Sequence, residues 1–194
     1  MNQSTKLKVV GFDPSLRNWG IAEGTFCSET RTISIVRLSV VNPVLSTGKQ
    51  VRQNSDDIEA GYQLYKGAIA ATVGAHAVFV EVPIGSQSAR AMASYGICVG
   101  VLGALRANGI PFFEVTPTEV KVCATGNKTA TKRDMIQWAY DNHPDANWPF
   151  FKKNGTTQIV EGKAEHMADA IATIYAGIAS NPFQQMLPFL AANK

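Results

Sequence analysis

The stretch VVGFDPSLRNWGIA, residues 9–22, contains an apolar run that stops abruptly at an aspartate. The apolar residues before Asp13 are typical of a buried β-strand, and the strand ends at the aspartate. Pro14 to Asn18 is rich in turn-forming residues, and a second apolar run begins at Trp19. The pattern predicts two strands joined by a short turn, with a carboxylate carried to the edge of the hydrophobic core.

Outward from this stretch, the chain alternates between strand-like and helix-like patterns. Closely spaced strands over Lys6–Phe12, Trp19–Phe26 and Arg31–Val40 predict an antiparallel meander. The other predicted elements are a helix over 56–73, a strand over 77–82, a helix over 89–107, a strand over 111–115, a helix that starts at Thr116, a short helix over 132–142 and a helix over 164–179. This order predicts a mixed α/β domain with helices on both faces of one sheet.

The length of 194 residues suits a single domain over 1–194. An irregular insertion at about 141–165 is rich in Asn, Pro and Gly, and Val160 to Gly162 is predicted to end a small hairpin there. Beyond Asn181, Pro182 and Pro188 predict a packed or frayed tail.

The composition, 45% hydrophobic and 17% charged, is that of a soluble globular protein. No apolar run is long enough to span a membrane, and the first residues do not form a signal peptide, so we expect a cytoplasmic protein. The three scattered cysteines predict buried free thiols rather than disulfides or a zinc cluster. A net charge of +3 permits an anionic partner without requiring one.

Carboxylates end two of the predicted strands, and a third lies early in the last predicted helix. Asp13 ends the first strand, and Glu81 ends the apolar run VFVE. In HMADA, His166 and Asp169 are three residues apart, so on a helix they lie on one face. A buried carboxylate is costly unless it is paired, hydrogen-bonded or metal-bound, and oxygen ligands suit Mg²⁺ or Mn²⁺. The pattern predicts that these four side chains share divalent cations.

Each of these residues also has an ordinary structural role open to it. An aspartate at a strand end often caps a turn, Glu81 can form an ion pair with Arg90, and His166 can bond a backbone carbonyl group. The order and setting of the residues together favour the metal site.

The motifs GFDPSLRNWG, FVEVPIGS, GNKTATKRDM and HMADA, in this order across nearly the whole chain, resemble those of the RuvC-type Holliday-junction resolvases, a branch of the ribonuclease H-like nucleases. The resemblance places catalytic and metal-binding roles on Asp13, Glu81, His166 and Asp169. It implies a ribonuclease H-like α/β fold with a mixed five-stranded sheet and helices on both faces. It also implies an endonuclease that uses two Mg²⁺ ions per site, or Mn²⁺ in their place, to nick two like-polarity strands of a four-way DNA junction.

The resemblance further implies a catalytic lysine that neutralises charge on the phosphate, which falls on Lys132, with Lys128 as a competitor. The predicted DNA-binding residues are Lys128, Lys132, Arg133 and Arg90. A solvated helix face is the alternative for the cluster around GNKTATKR. Paired cleavage needs two active sites, so a homodimer is expected. Glycines at 96, 100 and 103 suit either such a contact or tight packing within one subunit.

Two features depart from the family pattern. Pro83 and Ile84 stand where the family tends to carry an aromatic residue that wedges into the junction. The insertion interleaves aromatic and basic residues that either stack on bases and hold phosphates or anchor the insertion to the core: Trp148, Phe150, Phe151, Lys152 and Lys153.

The same residues leave three other functions open. A nuclease of this fold can act on other branched DNA such as forks and flaps, or the protein can bind junctions without cleaving them. Intact Asp13, Glu81 and Asp169 argue against the silent binder. The related actin-like and sugar-kinase ATPase fold needs two such domains and a second phosphate loop, for which 194 residues leave little room.

Overall fold

The computed structural model describes residues 6–46, 48, 52–153 and 155–192, and a five-stranded sheet lies at its centre. The strands are β1 (Lys6–Asp13), β2 (Trp19–Cys27), β3 (Ile33–Val41), β4 (Ala77–Glu81) and β5 (Phe113–Val115). Their order across the sheet is β3-β2-β1-β4-β5. The first three strands form an antiparallel meander, β4 pairs in parallel with β1, and β5 pairs in parallel with β4. The predicted meander and mixed five-stranded sheet are confirmed.

Helices cover both faces of this sheet, as predicted. One face packs on α1 (Gln53–Ala71) and α2 (Ala89–Ala107). The other packs on α3 (Pro117–Thr125), α4 (Lys132–Asn142), α5 (Glu161–Ala179) and α6 (Asn181–Ala192). Successive strand residues point to opposite faces, so Val10 and Phe12 belong to the first core while Leu7 and Val9 belong to the second. By the same alternation, Asp13 points to the face that α5 covers.

Helix α3 begins at a capping box, which explains why the sequence around Thr116 predicts its start so well. The Thr116 side chain accepts a hydrogen bond from the backbone amide of Glu119, and the Glu119 carboxylate accepts one from the Thr116 amide. Pro117 occupies the first helical position, where its missing N–H costs nothing. The chain thus turns into α3 directly after β5, at the edge of the sheet where Glu81 lies.

The insertion and the tail are more regular than predicted. Two short strands, β6 (Phe150–Lys153) and β7 (Thr156–Ile159), form a hairpin within the insertion. The predicted hairpin is confirmed and ends one residue earlier than Val160 to Gly162: β7 ends at Ile159, the Val160 amide bonds the Pro149 carbonyl oxygen, and α5 begins at Glu161. The tail beyond Asn181 is a helix, since Pro182 falls in its first turn and the fully buried Phe183 packs on three phenylalanine rings.

The cysteines follow the prediction only in part. Cys27, Cys98 and Cys123 are all free thiols, but Cys123 is exposed, so the prediction that all three are buried is wrong. Within the described residues, no helix is long and apolar enough to cross a membrane.

Candidate active site

Asp13 and Glu81 lie side by side at one edge of the sheet. Their strands run parallel, and the last residue pair of the two strands joins Phe12 to Val80, one residue before each carboxylate. Two neighbouring parallel strands therefore end in carboxylates on the same face. Phe79, two residues before Glu81, packs in the core beneath α5, so Glu81 also points toward that helix.

Helix α5 reaches this edge because two strand residues opposite it are glycines. A Cβ atom added to Gly20 would lie 2.1 Å from the carbonyl oxygen of His166, and one added to Gly11 would lie 2.2 Å from that of Ala170. No side chain fits between strand and helix at these points, so the helix backbone rests directly on β1 and β2. This close approach carries His166 and Asp169 over Asp13, as their i, i+3 spacing predicted.

His166 bonds Asp13 directly. Its Nδ1 atom lies 2.6 Å from Asp13 Oδ2, and the two side chains are only 17% and 14% exposed. Burial by itself lowers the pKa of His166, but the hydrogen bond to Asp13 and the charges of Asp13, Glu165 and Asp169 outweigh it and raise the pKa above its ordinary value. The alternative in which a backbone carbonyl satisfies His166 is wrong, because its partner is the carboxylate of Asp13.

Glu81 and Asp169 hold their protons unusually tightly. Burial, followed by the charges of Asp13 and Asp169, raises the pKa of Glu81 to about 8. Burial, followed by the charges of Asp13 and Glu165, raises the pKa of Asp169 to about 7. The folded chain therefore draws several carboxylates together without enough positive charge to neutralise them.

The chemistry of these residues fits a divalent cation. Carboxylate oxygens with one imidazole nitrogen are ligands that Mg²⁺ and Mn²⁺ accept, and a bound cation would relieve the repulsion that raises the two pKa values. In the described part of the chain, no group of three or more His, Cys, Asp or Glu side chains is already arranged to hold a metal ion. Metal binding by Asp13, Glu81, His166 and Asp169 stays a prediction.

Lys121 acts on the same site, although the sequence analysis assigns it no catalytic role. Its positive charge lowers the pKa of both Glu81 and Asp169, but burial and the neighbouring carboxylates outweigh it. It is the only basic residue of α3, and that helix starts directly after β5, the neighbour of β4. The signal that could have identified Lys121 is this topology, because it places the first turns of α3 beside the end of β4.

Lys132 lies at the rim of the site and already has a carboxylate partner. Its Nζ atom is 2.6 Å from Glu165 Oε1, and this hydrogen bond, with smaller contributions from Asp169 and Asp13, raises the pKa of Lys132. Arg133 lies 3.4 Å from Glu161 in a second, more exposed ion pair between α4 and α5. Lys128 is exposed on the loop before α4. DNA binding by these residues stays a prediction.

Arg90 does not pair with Glu81. Its guanidinium group donates two hydrogen bonds to the carboxylate of Asp57, at 2.7 and 2.8 Å, and lowers the pKa of that carboxylate. The alternative in which Glu81 is neutralised by Arg90 is therefore wrong. Arg90 lies at the start of α2 and lines a cavity of about 440 Å³ together with Ser15, Arg17 and Ser88, and its predicted DNA contact stays a prediction.

The aromatic residues of the insertion divide into two groups. Trp148 is buried, and its Nε1 atom donates a 2.9 Å hydrogen bond to the carbonyl oxygen of His143, so this ring anchors the insertion to the core. Phe150 and Phe151 on β6 are 49% and 41% exposed, and the Phe150 ring contacts that of Tyr140 on α4. The anchoring interpretation is correct for Trp148 and stays a prediction for the two phenylalanines.

Comparison with known proteins relates this chain to two solved structures. The Thermus thermophilus RuvC structure is 18% identical, with a TM-score of 0.61, and the match covers 94% of this chain and 97% of that one. T. thermophilus RuvC in complex with a Holliday junction substrate is 17% identical, with a TM-score of 0.58, and the match covers 87% of this chain and 93% of that one. No family model matches the chain, and no curated protein sequence is significantly similar to it. This chain has the ribonuclease H-like α/β fold of RuvC.

Proposed function

We propose that this protein is a metal-dependent endonuclease that resolves four-way DNA junctions by paired symmetric nicks. The observation that supports the proposal most is the juxtaposition of Asp13, Glu81 and Asp169, with His166 bonded to Asp13, at the carboxyl edge of a RuvC-like sheet. The similarity to T. thermophilus RuvC, whose structure was solved in complex with a Holliday junction substrate, supports branched DNA as the substrate.

The four side chains would hold two Mg²⁺ or Mn²⁺ ions, which when bound activate water and stabilise the leaving oxygen of a phosphodiester. His166 donates to or accepts from Asp13 and so fixes the orientation of that carboxylate. Lys121, whose charge acts on Glu81 and Asp169, brings positive charge to the place where charge develops on the phosphate. Lys132 adds a second cation at the rim beside Glu165.

Paired nicks require two copies of this site, and the exposed side of α1 and α2 supports a homodimer contact. A Cβ atom added to Gly96, Gly100 or Gly103 would meet nothing within 4 Å in the described residues, so these glycines are not packed inside the subunit. Beside them, Ile58 and Tyr62 on α1 are 75% and 55% exposed and line an apolar groove between the helices. Small residues flanked by exposed apolar side chains suit close approach of a second copy.

The proposal is tested with a synthetic four-way junction, a fork, a flap and a linear duplex, each incubated with Mg²⁺, Mn²⁺ or a chelator. Symmetric nicks in the junction alone, dependent on the metal, are expected. Preferential cutting of forks or flaps would favour a nuclease for other branched DNA. Binding of the junction without cleavage under any metal would favour a silent junction-binding protein and overturn the proposal.

The variant Asp13→Asn separates chemistry from binding. It removes a carboxylate from the proposed metal site and leaves the basic residues in place, so cleavage is expected to fall below detection while junction affinity changes little. Asp145→Asn is the matched control, because Asp145 is an exposed loop residue outside the site. Cleavage by Asp13→Asn at the rate of this control would contradict the assignment.

A further inference from the structure

Hydrogen bonds and a buried side chain fix the residues that flank the hairpin β6–β7. Just before it, Asn147 exchanges two hydrogen bonds with the backbone of Leu38 on β3, at 2.7 and 2.8 Å. Trp148 is buried, and the amide of Val160 donates a 2.7 Å hydrogen bond to the carbonyl oxygen of Pro149, which closes the base of the hairpin. The strands that follow are thus held in a fixed position at the start of α5.

The two phenylalanines of β6 point to opposite faces of the hairpin. Phe150 is paired with Ile159, which packs partly on the core, and the Phe150 ring contacts that of Tyr140 edge-on at 6.3 Å. Phe151, one residue later, points the other way, is paired with the polar Gln158, and contacts no other aromatic ring in the described residues. Phe151 is 41% exposed, so part of its ring is open to solvent and free of any aromatic partner in the described residues.

The charge around this ring favours a nucleic acid as its partner. From residue 146 to residue 160 the sequence contains no aspartate or glutamate, and Lys152 follows Phe151 directly. Lys152 points to the opposite face from Phe151, so the hairpin carries an aromatic ring on one face and a positive charge on the other, a combination that suits base stacking together with a phosphate contact. A protein partner would more often require a larger apolar surface than one ring.

The hairpin also lies within reach of DNA held at the candidate active site. His166 is five residues into α5, about 7.5 Å along the helix axis from its start. Phe151 is paired with Gln158, which lies three residues before the start of α5 and adds about 10 Å. The length along these elements from Gln158 to His166 is about 18 Å, which corresponds to about five base pairs of DNA. The loop after Glu81, residues 82–88, contains no aromatic residue that could stack on a base there.

We infer that the hairpin β6–β7 is a base-stacking element, in which Phe151 stacks on an unpaired or splayed base at the branch point while Lys152, on the opposite face of the hairpin, contacts a phosphate of the same DNA. The inference rests on the proposed function, since it places the branch point a few nucleotides from the phosphate that is cut.

The test uses the full-length protein with Asp13→Asn, so that DNA is bound and not cut, and compares Phe151→Ala with Phe151→Trp. Binding is measured by fluorescence anisotropy on a labelled four-way junction and on a linear duplex of equal length. Phe151→Ala is expected to weaken junction binding about tenfold, which is the loss of one base–aromatic stack, and to leave duplex binding within about twofold. Phe151→Trp is expected to keep junction affinity, and 2-aminopurine at the branch point reports the stacking directly.

Two further variants serve as controls. Phe189→Ala removes a more exposed phenylalanine on α6, which follows the far end of α5, and is expected to change neither affinity. Lys152→Ala is expected to weaken binding to the junction and to the duplex equally and to reduce the salt dependence of both. A phosphate contact does not distinguish the two DNA structures, because both carry the same phosphate backbone.

Three outcomes would overturn the inference. They are unchanged junction affinity in Phe151→Ala, an equal loss on junction and duplex, and a fall in oligomer mass by light scattering, which would make Phe151 a contact between copies of the chain. All readouts measure binding, so they are independent of turnover. A wild-type protein that cuts no DNA would contradict the nuclease proposal even if the hairpin result held.

Discussion

Replacing Glu81 by glutamine is expected to stabilise the fold at alkaline pH in the absence of divalent cations. Burial and the charges of Asp13 and Asp169 raise the pKa of Glu81 from its ordinary value of 4.5 to about 8. Between these two pH values the folded state holds a proton that the unfolded chain has released. The free energy of unfolding therefore falls as pH rises through this window, and the full penalty is present above pH 8.

The size of the change in unfolding free energy follows from the shift in the pKa of Glu81. One pKa unit corresponds to about 1.4 kcal/mol, so a carboxylate shifted this far costs at most about 5 kcal/mol once it is ionised. Because the pKa of Asp169 is raised into the same pH range as that of Glu81, we expect the measured gain for Glu81→Gln to be about 1–3 kcal/mol at pH 8.5. For a domain of this size, that raises the melting temperature by about 3–10 °C.

Thermal unfolding in a chelator at pH 5 and pH 8.5 measures the difference. The gain of Glu81→Gln over the wild type is expected to be small at pH 5, where the wild-type side chain is already protonated, and largest at pH 8.5. Adding Mn²⁺ is expected to raise the melting temperature of the wild type and so to reduce the difference in melting temperature between Glu81→Gln and the wild type. Glu59→Gln, at an exposed position on α1, is the matched control and should show no such pH dependence. A glutamine variant that is less stable than the wild type at pH 8.5 would refute the reasoning.

Three other substitutions test separate parts of the argument. Gly20→Ala places a methyl group against the carbonyl oxygen of His166. Denaturant titration is expected to show a loss of about 1–3 kcal/mol in the free energy of unfolding, and a junction-cleavage assay is expected to show the loss of most of the activity. Lys121→Ala is expected to reduce the cleavage rate about 10- to 100-fold while junction affinity stays within about threefold; an unchanged single-turnover rate would exclude the role given to Lys121. Gly100→Arg is expected to yield a monomer by light scattering, with single nicks in place of paired ones; a dimer of unchanged mass would exclude the α1–α2 contact.

The elements that carry the site could be predicted because each leaves a local signal. An apolar run that stops at Asp13 or Glu81 marks both the end of a strand and an unusual carboxylate. The i, i+3 spacing of His166 and Asp169 requires only that the segment be helical. These are properties of neighbouring residues, and the structure brings the two strand ends together as parallel partners.

Other features depend on contacts that no local pattern encodes. Lys121 belongs to the site only because α3 follows a strand that pairs beside β4. The direct bond between His166 and Asp13 depends on how closely α5 approaches the sheet. In the tail, Pro182 and Pro188 suggest disruption, whereas the burial of Phe183 among other rings fixes a helix there.

Two interactions at this site change the free energy of unfolding in opposite directions. Repulsion among the buried carboxylates weakens the fold, so a neutral residue at Glu81 is expected to strengthen it. Contact between the α5 backbone and Gly20 holds those carboxylates together, so a methyl group there is expected to weaken it. Both substitutions are expected to abolish cleavage. If activity is lost in both while stability moves in opposite directions, the loss cannot be attributed to unfolding, and the juxtaposed charges themselves must be what the reaction requires.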